Sequence, residues 1–180
     1  VARIVESPVT ATAVALESRE GGKSLDQAII VSCDLVAIRD GVLEMVRNRI
    51  NAQLTDFDSS KLIMSATHTH TAPVMREDIY DLPTDGVMQP QEYVEFLVDR
   101  VAEIAVQAWQ SRSAGSVGWG LGHAVVAQNR RSTYADGTAQ MYGATKNPNF
   151  RGIEGYEDHT VDVLCFWDEQ DKLIATAINI

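Results

Sequence analysis

Apolar runs and helical stripes alternate along the first half of the chain, which predicts strands separated by helices. Residues 10–16 are rich in Thr, Val and Ala, and the glycine pair at 21–22 predicts a turn after them. Residues 27–38 begin with a continuous apolar run, typical of a strand buried on both faces. A further apolar run predicts a strand at residues 61–67.

A helix is predicted between the last two of these strands. Asp40 suits a helix N-cap, and an apolar stripe then continues to about Leu54. The stripe consists of Val42, Met45, Val46, Ile50 and Leu54. A strand–helix–strand unit of this length predicts a parallel strand pair with a right-handed crossover. Both strands would end at one edge of the sheet, near Asp34 and His68.

The second half changes from one long helix to strands. Pro90 suits the first helical position, and the apolar stripe behind it continues to about Trp109. Strands are predicted at residues 115–128, 162–167 and 172–180, with a polar hairpin turn at 168–171. The whole pattern predicts a mixed α/β fold, with helices packed on a central sheet and a β-rich second half.

Two long polar segments interrupt this pattern. Residues 76–89 are long enough to form a functional loop over the end of the preceding strand. Residues 129–157 lack strong periodicity but contain four aromatic residues, so we expect a loop that lines a site rather than disorder. This segment opens with Arg130 and Arg131, and an arginine there either orients a carbonyl or anionic group or is simply solvated.

Composition excludes some classes of function. The net charge of −10 and the scattered basic residues argue against sequence-independent nucleic-acid binding. No apolar stretch approaches the roughly 20 residues of a membrane helix. Cys33 and Cys165 each lie in an apolar run and are expected to be buried free thiols, although a disulfide between them stays open. We expect residues 1–180 to be the N-terminal part of a larger domain, because the chain stops inside an apolar run.

The strongest chemical signal is the sequence THTHTAP at residues 67–73, directly after an apolar strand. Side chains at i and i+2 of a strand point to the same side, so His68 and His70 are expected to face one pocket. Imidazole is the commonest metal ligand and the usual acid or base near neutral pH. Two histidines do not complete a zinc site, and histidines that merely cap a strand remain the alternative.

With these motifs, the chain resembles the N-terminal catalytic region of the neutral/alkaline (non-lysosomal) ceramidase family. The histidine loop is the specific match, and the strand 31–35 that contains Asp34 and the pair Asn129-Arg130 support it. Supporting matches follow at residues 146–148 and 155–158. Thr71-Ala72 stands where that family has Ser-Gly, and Arg131 stands where it has Ser.

The resemblance implies a zinc-dependent amide hydrolase that cleaves the N-acyl bond of ceramide, a small-molecule lipid amide. It implies zinc binding by His68, a positioning role for His70 and a site-lining role for Arg130. The remaining zinc ligands would follow Ile180. The resemblance also favours a secreted or periplasmic location and leaves peripheral membrane contact open, whereas the oligomeric state is not implied.

The mechanistic hypothesis is that zinc activates a water molecule while His70 or Arg130 stabilises the developing oxyanion. Asp34 either orients an imidazole or has a capping or surface role. His123 and His159 are not expected to be ligands. Two rival functions stay open: another metal-dependent hydrolase on the same scaffold, and a relative that binds lipid or glycan without turnover.

Overall fold

The computed structural model describes residues 4–39 and 41–180. The chain divides into two compact units, Val1–Arg112 and Ser113–Ile180. Within the described residues the fold is mixed α/β, with three three-stranded sheets and two α-helices, as the sequence predicts.

The first unit is built on a sheet with the strand order β1-β2-β3. Strands β1 (Ala11–Glu20) and β2 (Lys23–Cys33) form an antiparallel hairpin. Its turn is the predicted glycine pair, and both glycines have positive φ, 55° and 82°. Strand β3 (Leu62–Ala66) lies parallel to β2, with Cys33 opposite Ala66. The parallel pair and the shared strand ends are therefore confirmed.

Two helices share the buried core of this unit with its sheet. Helix α1 (Val42–Asn51) ends three residues before the predicted boundary at Leu54, although Leu54 itself is buried. The predicted cap, Asp40, lies outside the described residues. Helix α2 (Pro90–Gln110) begins at Pro90 as predicted, and Gln89 and Glu92 form a capping box that satisfies its first free amides.

The buried core of the first unit joins the central strand to both helices. Ile29 and Val31 of β2 are fully buried, as are Val46 and Ile50 of α1. Trp109 at the end of α2 closes one side of this core. Its ring centroid lies 4.6 Å from that of Phe57, and its Nε1 donates to Asp56 at 3.0 Å.

The second unit contains two antiparallel sheets. The first has the order β4-β8-β9 and comprises β4 (Gly115–His123), β8 (Thr160–Asp168) and β9 (Leu173–Asn179). The predicted hairpin turn is confirmed, because Asp171 N donates to Asp168 O at 3.1 Å and Asp168 N to Lys172 O at 3.0 Å.

The prediction of a loop at residues 129–157 is wrong for much of that segment. Strands β5 (Arg131–Tyr134), β6 (Ala139–Met141) and β7 (Phe150–Ile153) form a small sheet with the order β6-β5-β7. The strands are three or four residues long, so alternation had too few positions to be visible in the sequence. Ser132 and Tyr134 of the central strand are buried.

Two smaller predictions can also be compared with the structure. Cys33 is a buried free thiol as expected, whereas Cys165 is free but only half-buried. Burial, with a smaller effect of the nearby Asp34 charge, raises the pKa of the Cys33 thiol to about 11. Among the described residues, neither helix combines the length and apolar character that crossing a membrane requires.

Replacing Ile50 by Ala should lower the free energy of unfolding by about 2–5 kcal/mol, because it leaves a cavity in a fully packed core. Urea denaturation followed by circular dichroism measures the loss. Ile63→Ala is the matched control, since Ile63 is 55% exposed in the same unit. Equal losses in the two variants would contradict this description of the core.

Candidate functional site

The histidine segment follows the paired ends of β2 and β3. Thr67 N donates to Cys33 O at 2.9 Å, which extends the parallel ladder one residue beyond the end of β3. The chain then leaves the sheet at His68, whose φ of 60° lies in the left-handed region. This conformation costs energy for a residue other than glycine, and such residues concentrate at functional positions.

The ring of His68 is held by the segment that follows β2. Its Nδ1 lies 2.6 Å from Val36 O. A carbonyl oxygen only accepts hydrogen bonds, so Nδ1 must carry the hydrogen, and the lone pair of the neutral ring is then on Nε2. Metal-binding histidines commonly have this arrangement, in which one ring nitrogen donates to a carbonyl and the other is left for the metal.

His70 lies beside His68 as predicted, but strand alternation is not the cause. Strand β3 ends at Ala66, so strand alternation does not govern residues 68 and 70. The turn at His68 brings the two ring centroids to 5.1 Å with the ring planes at 80°. Both side chains are exposed, which leaves them accessible to a ligand.

Asp34 holds this segment through threonines rather than through an imidazole. Its Oδ2 accepts from the amide and the hydroxyl of Thr10 at 2.9 Å and 2.7 Å, and its Oδ1 accepts from the Thr67 hydroxyl at 3.2 Å. These bonds, those from Thr10 first, hold the pKa of Asp34 below its usual range. Asp34 therefore links the residue before β1 to the residue before His68. The imidazole of His68 is oriented by the Val36 carbonyl and not by Asp34.

The other threonines of the segment bond to each other. Thr69 Oγ1 lies 2.9 Å from Thr71 Oγ1, and Thr71 N lies 3.4 Å from the same Thr69 oxygen. Of the described threonines in this segment, Thr67 is the one whose hydroxyl donates to Asp34. The three hydroxyls of this segment do not line one side of a strand, because β3 ends at Ala66.

The donor atoms of the histidine segment can be compared with the ligands that zinc takes in proteins. Imidazole nitrogen is a usual zinc ligand, and the Nε2 lone pair of His68 is a donor of that kind. The His70 ring lies against it edge to face, with the centroids 5.1 Å apart, as in an ordinary aromatic pair. Across residues 4–39 and 41–180, however, no group of three His, Cys, Asp or Glu side chains could hold a metal ion.

A cleft of about 400 Å³ lies in the first unit next to these segments. It is bordered by residues 38–39, which follow Val36, and by residues 75–76, which follow the histidine segment. Its lining consists of Ile38, Arg39, Val42, Met45, Met75, Arg76, Gln91 and Val94. Apolar side chains therefore lie close in sequence to both parts of the candidate site.

Arg130 lies in the second unit, in the turn before β5. Its guanidinium carbon is 4.9 Å from the centroid of the Tyr142 ring. Two hydrogen bonds hold the preceding Asn129. Its backbone N–H donates to Glu157 Oε1 at 2.9 Å, and its side-chain Nδ2 donates to Glu154 O. Arg131 pairs with Glu154 at 3.0 Å, so its charge is partly balanced on the surface.

The remaining histidines also lie in the second unit. His123 is the last residue of β4, opposite Thr160, and His159 precedes β8. Asp158 lies near both, but bonds from Thr160 are the main reason that its pKa is lowered. His123 and His159 form no described metal cluster, and their exclusion as ligands stays a prediction.

Sequence reasoning missed the three groups that hold the candidate side chains: the Val36 carbonyl, Thr10 and Tyr142. Backbone carbonyls carry no sequence signal, and Thr10 reaches Asp34 only through the pairing of β1 with β2. In the sequence, Tyr142 is one of four aromatic residues of segment 129–157 and nothing distinguishes it from the others. Its positive φ of 55° is visible only in the structure.

Comparison with solved structures shows what this fold resembles. The crystal structure of neutral ceramidase from Pseudomonas aeruginosa matches 87% of the chain with a TM-score of 0.56 and 22% sequence identity. A structure described as ceramidase complexed with C2 matches 93% of the chain with a TM-score of 0.61 and 24% identity. No protein-family profile and no curated protein sequence matches the chain.

These similarities concern the fold alone. The chain spans only about a quarter of each ceramidase structure, 24% of one and 25% of the other. Within that span, the described α/β arrangement is the one that part of a neutral ceramidase adopts.

Replacing Asp34 by Ala should destabilise the protein near neutral pH, and the difference from wild type should shrink below about pH 4. The pKa of the folded carboxyl is depressed from 3.8, so its stabilising effect is present above that pH and lost as the group protonates. Urea midpoints from pH 7 to pH 2.5 provide the measurement. The control is Asp81→Ala in an exposed loop, and a constant gap between Asp34→Ala and wild type would refute the assignment.

Proposed function

We propose that the protein is a zinc-dependent amide hydrolase that cleaves the N-acyl bond of ceramide or a related lipid amide. One observation carries the proposal: His68 presents Nε2 beside His70 at the ends of β2 and β3. The fold shared with neutral ceramidases supports the substrate class.

In this proposal His68 binds zinc through Nε2. Zinc usually takes three or four protein ligands, so His68 alone does not complete the site. A zinc ion held there would act as a Lewis acid, polarising a substrate carbonyl and lowering the pKa of the water bound to it. The hydrogen bond from Nδ1 to Val36 O keeps the ring of His68 in one tautomer and one orientation, so the ligand atom is ready before zinc arrives.

His70 and Arg130 are the residues proposed to act on the substrate. An imidazole can accept or donate a hydrogen bond through either ring nitrogen, and we assign His70 the task of orienting the attacking water. Arg130 has several N–H donors, and we assign it a hydrogen bond to the substrate oxygen that gains charge in the transition state. Both side chains are exposed, as a contact with substrate requires.

Two departures from the ceramidase family favour the rival hydrolase on the same scaffold: Arg131 in place of Ser, and the divergent segment 134–151. The ion pair of Arg131 with Glu154 weakens the first of these, because a paired arginine attracts an anionic substrate less strongly. The non-catalytic relative predicts lipid or glycan binding without turnover. Assays of zinc content and turnover together separate the three functions.

The full-length protein should contain about one zinc per chain, and His68→Ala should lose it, because that variant lacks the Nε2 donor. Inductively coupled plasma mass spectrometry of the dialysed proteins gives the metal content. His123→Ala should keep its zinc, since His123 lies outside the candidate segment. The proposed metal site would be refuted if zinc persists in His68→Ala or if wild type contains none.

Zinc-loaded protein should release fatty acid from a fluorescent ceramide, and His70→Ala and Arg130→Ala should each lower kcat at least about 100-fold. Loss of a group that acts mainly in the transition state affects kcat more than KM. His159→Ala is the matched control and should keep wild-type turnover. Hydrolysis of other N-acyl or ester lipids but not ceramide would favour the rival hydrolase, and binding without turnover would favour the non-catalytic relative.

A further inference from the structure

We propose that Tyr142 is a positioning residue whose ring holds the guanidinium of Arg130 in place for a substrate oxygen. This inference rests on the proposed function, in which Arg130 contacts the substrate. The guanidinium carbon lies 4.9 Å from the Tyr142 ring centroid, within the roughly 6 Å that a cation–π contact allows. Tyr142 Nα–H also donates to Arg130 O at 2.9 Å, so the two residues are joined through backbone and side chain.

The backbone of Tyr142 is in an unfavourable conformation. Its φ of 55° lies in the left-handed region, which bulky residues rarely occupy. Strained conformations of this kind persist where the surrounding structure holds them, and they concentrate at ligand-binding and catalytic positions. A tyrosine in place of glycine at such a position points to a use for its ring.

The neighbours of Tyr142 show how the conformation is held. Gly143 N donates to Gln140 O at 3.1 Å, Gly143 O accepts from Ser132 Oγ at 3.0 Å, and Ala144 O accepts from Tyr134 OH at 3.3 Å. A Cβ at Gly143 would collide with the Tyr134 hydroxyl, so the chain passes too close to β5 for any larger residue. The turn is therefore fixed against the same strand that follows Arg130.

The contact with the Tyr142 ring leaves N–H donors of Arg130 available to a ligand. The guanidinium has five N–H donors in a fixed plane, and a cation–π contact does not use them as hydrogen bonds to an acceptor. Within the described part of the chain, Arg130 forms no ion pair or side-chain hydrogen bond, in contrast to Arg131, which pairs with Glu154. A planar, oriented set of donors fits an amide carbonyl oxygen of a lipid amide.

The test is equilibrium binding of a fluorescent short-chain ceramide to chelator-treated full-length protein, followed by anisotropy, so that no turnover occurs. Tyr142→Leu removes the ring face and should weaken binding roughly threefold to tenfold, whereas Tyr142→Phe keeps it and should stay within about twofold of wild type. Adding Tyr142→Leu to Arg130→Leu should weaken binding no further, because the tyrosine acts through the arginine.

Tyr156→Leu is the matched control, since Tyr156 is an exposed tyrosine of the same unit. If Tyr142→Leu fails to fold, Tyr142→Gly takes its place, because glycine accepts the left-handed conformation while lacking the ring. The proposal is overturned if Tyr142→Phe binds as weakly as Tyr142→Leu, or if the two losses in the double variant add.

A second measurement separates failure of this inference from failure of the proposed function. Thermal midpoints of wild type, the two Leu variants and the double variant give the Arg130–Tyr142 coupling without any ligand. No ceramide binding by wild type would overturn the proposed substrate and, with it, the substrate role of Arg130. An absent coupling would overturn the Tyr142 assignment even if the protein hydrolyses ceramide.

Discussion

The parallel pairing of β2 with β3 is the constraint on which the candidate site of the first unit depends. Because Cys33 lies opposite Ala66, the residues that follow each strand leave the sheet side by side. Asp34 then reaches the Thr67 hydroxyl, and Val36 O reaches the ring of His68. A register shift of one residue would turn every side chain of β3 to the other face and separate these partners.

That pairing is itself supported by the most deeply buried part of the unit. The inner side chains Ile29 and Val31 pack against α1 and α2, and the crossover through α1 makes the parallel arrangement. The candidate site therefore combines a rigid base with exposed reactive groups, because the strands end in the core while the histidines lie at the surface. Residues that must meet a ligand are usually found on loops that such a scaffold holds in place.

Much of this fold follows from patterns that the sequence displays. The glycine turn, the apolar run of β2 and the stripe of α1 together determine a strand–helix–strand unit and hence the approach of Asp34 to the histidine segment. The small sheet of the second unit could not be predicted, since strands such as Ala139–Met141 are too short for a period to show. At the site, the sequence identifies His68 and His70 but not how they meet, because that depends on one left-handed residue and one carbonyl.

The bond from His68 to Val36 O has a consequence for how this arrangement tolerates sequence change. The acceptor belongs to the main chain, so almost any amino acid at position 36 supplies it, provided that the chain follows the same path after β2. The orientation of the His68 ring is thereby determined by backbone geometry and not by a partner side chain. Proteins that share the path can drift far apart in composition around the histidine and still present the same nitrogen to a ligand.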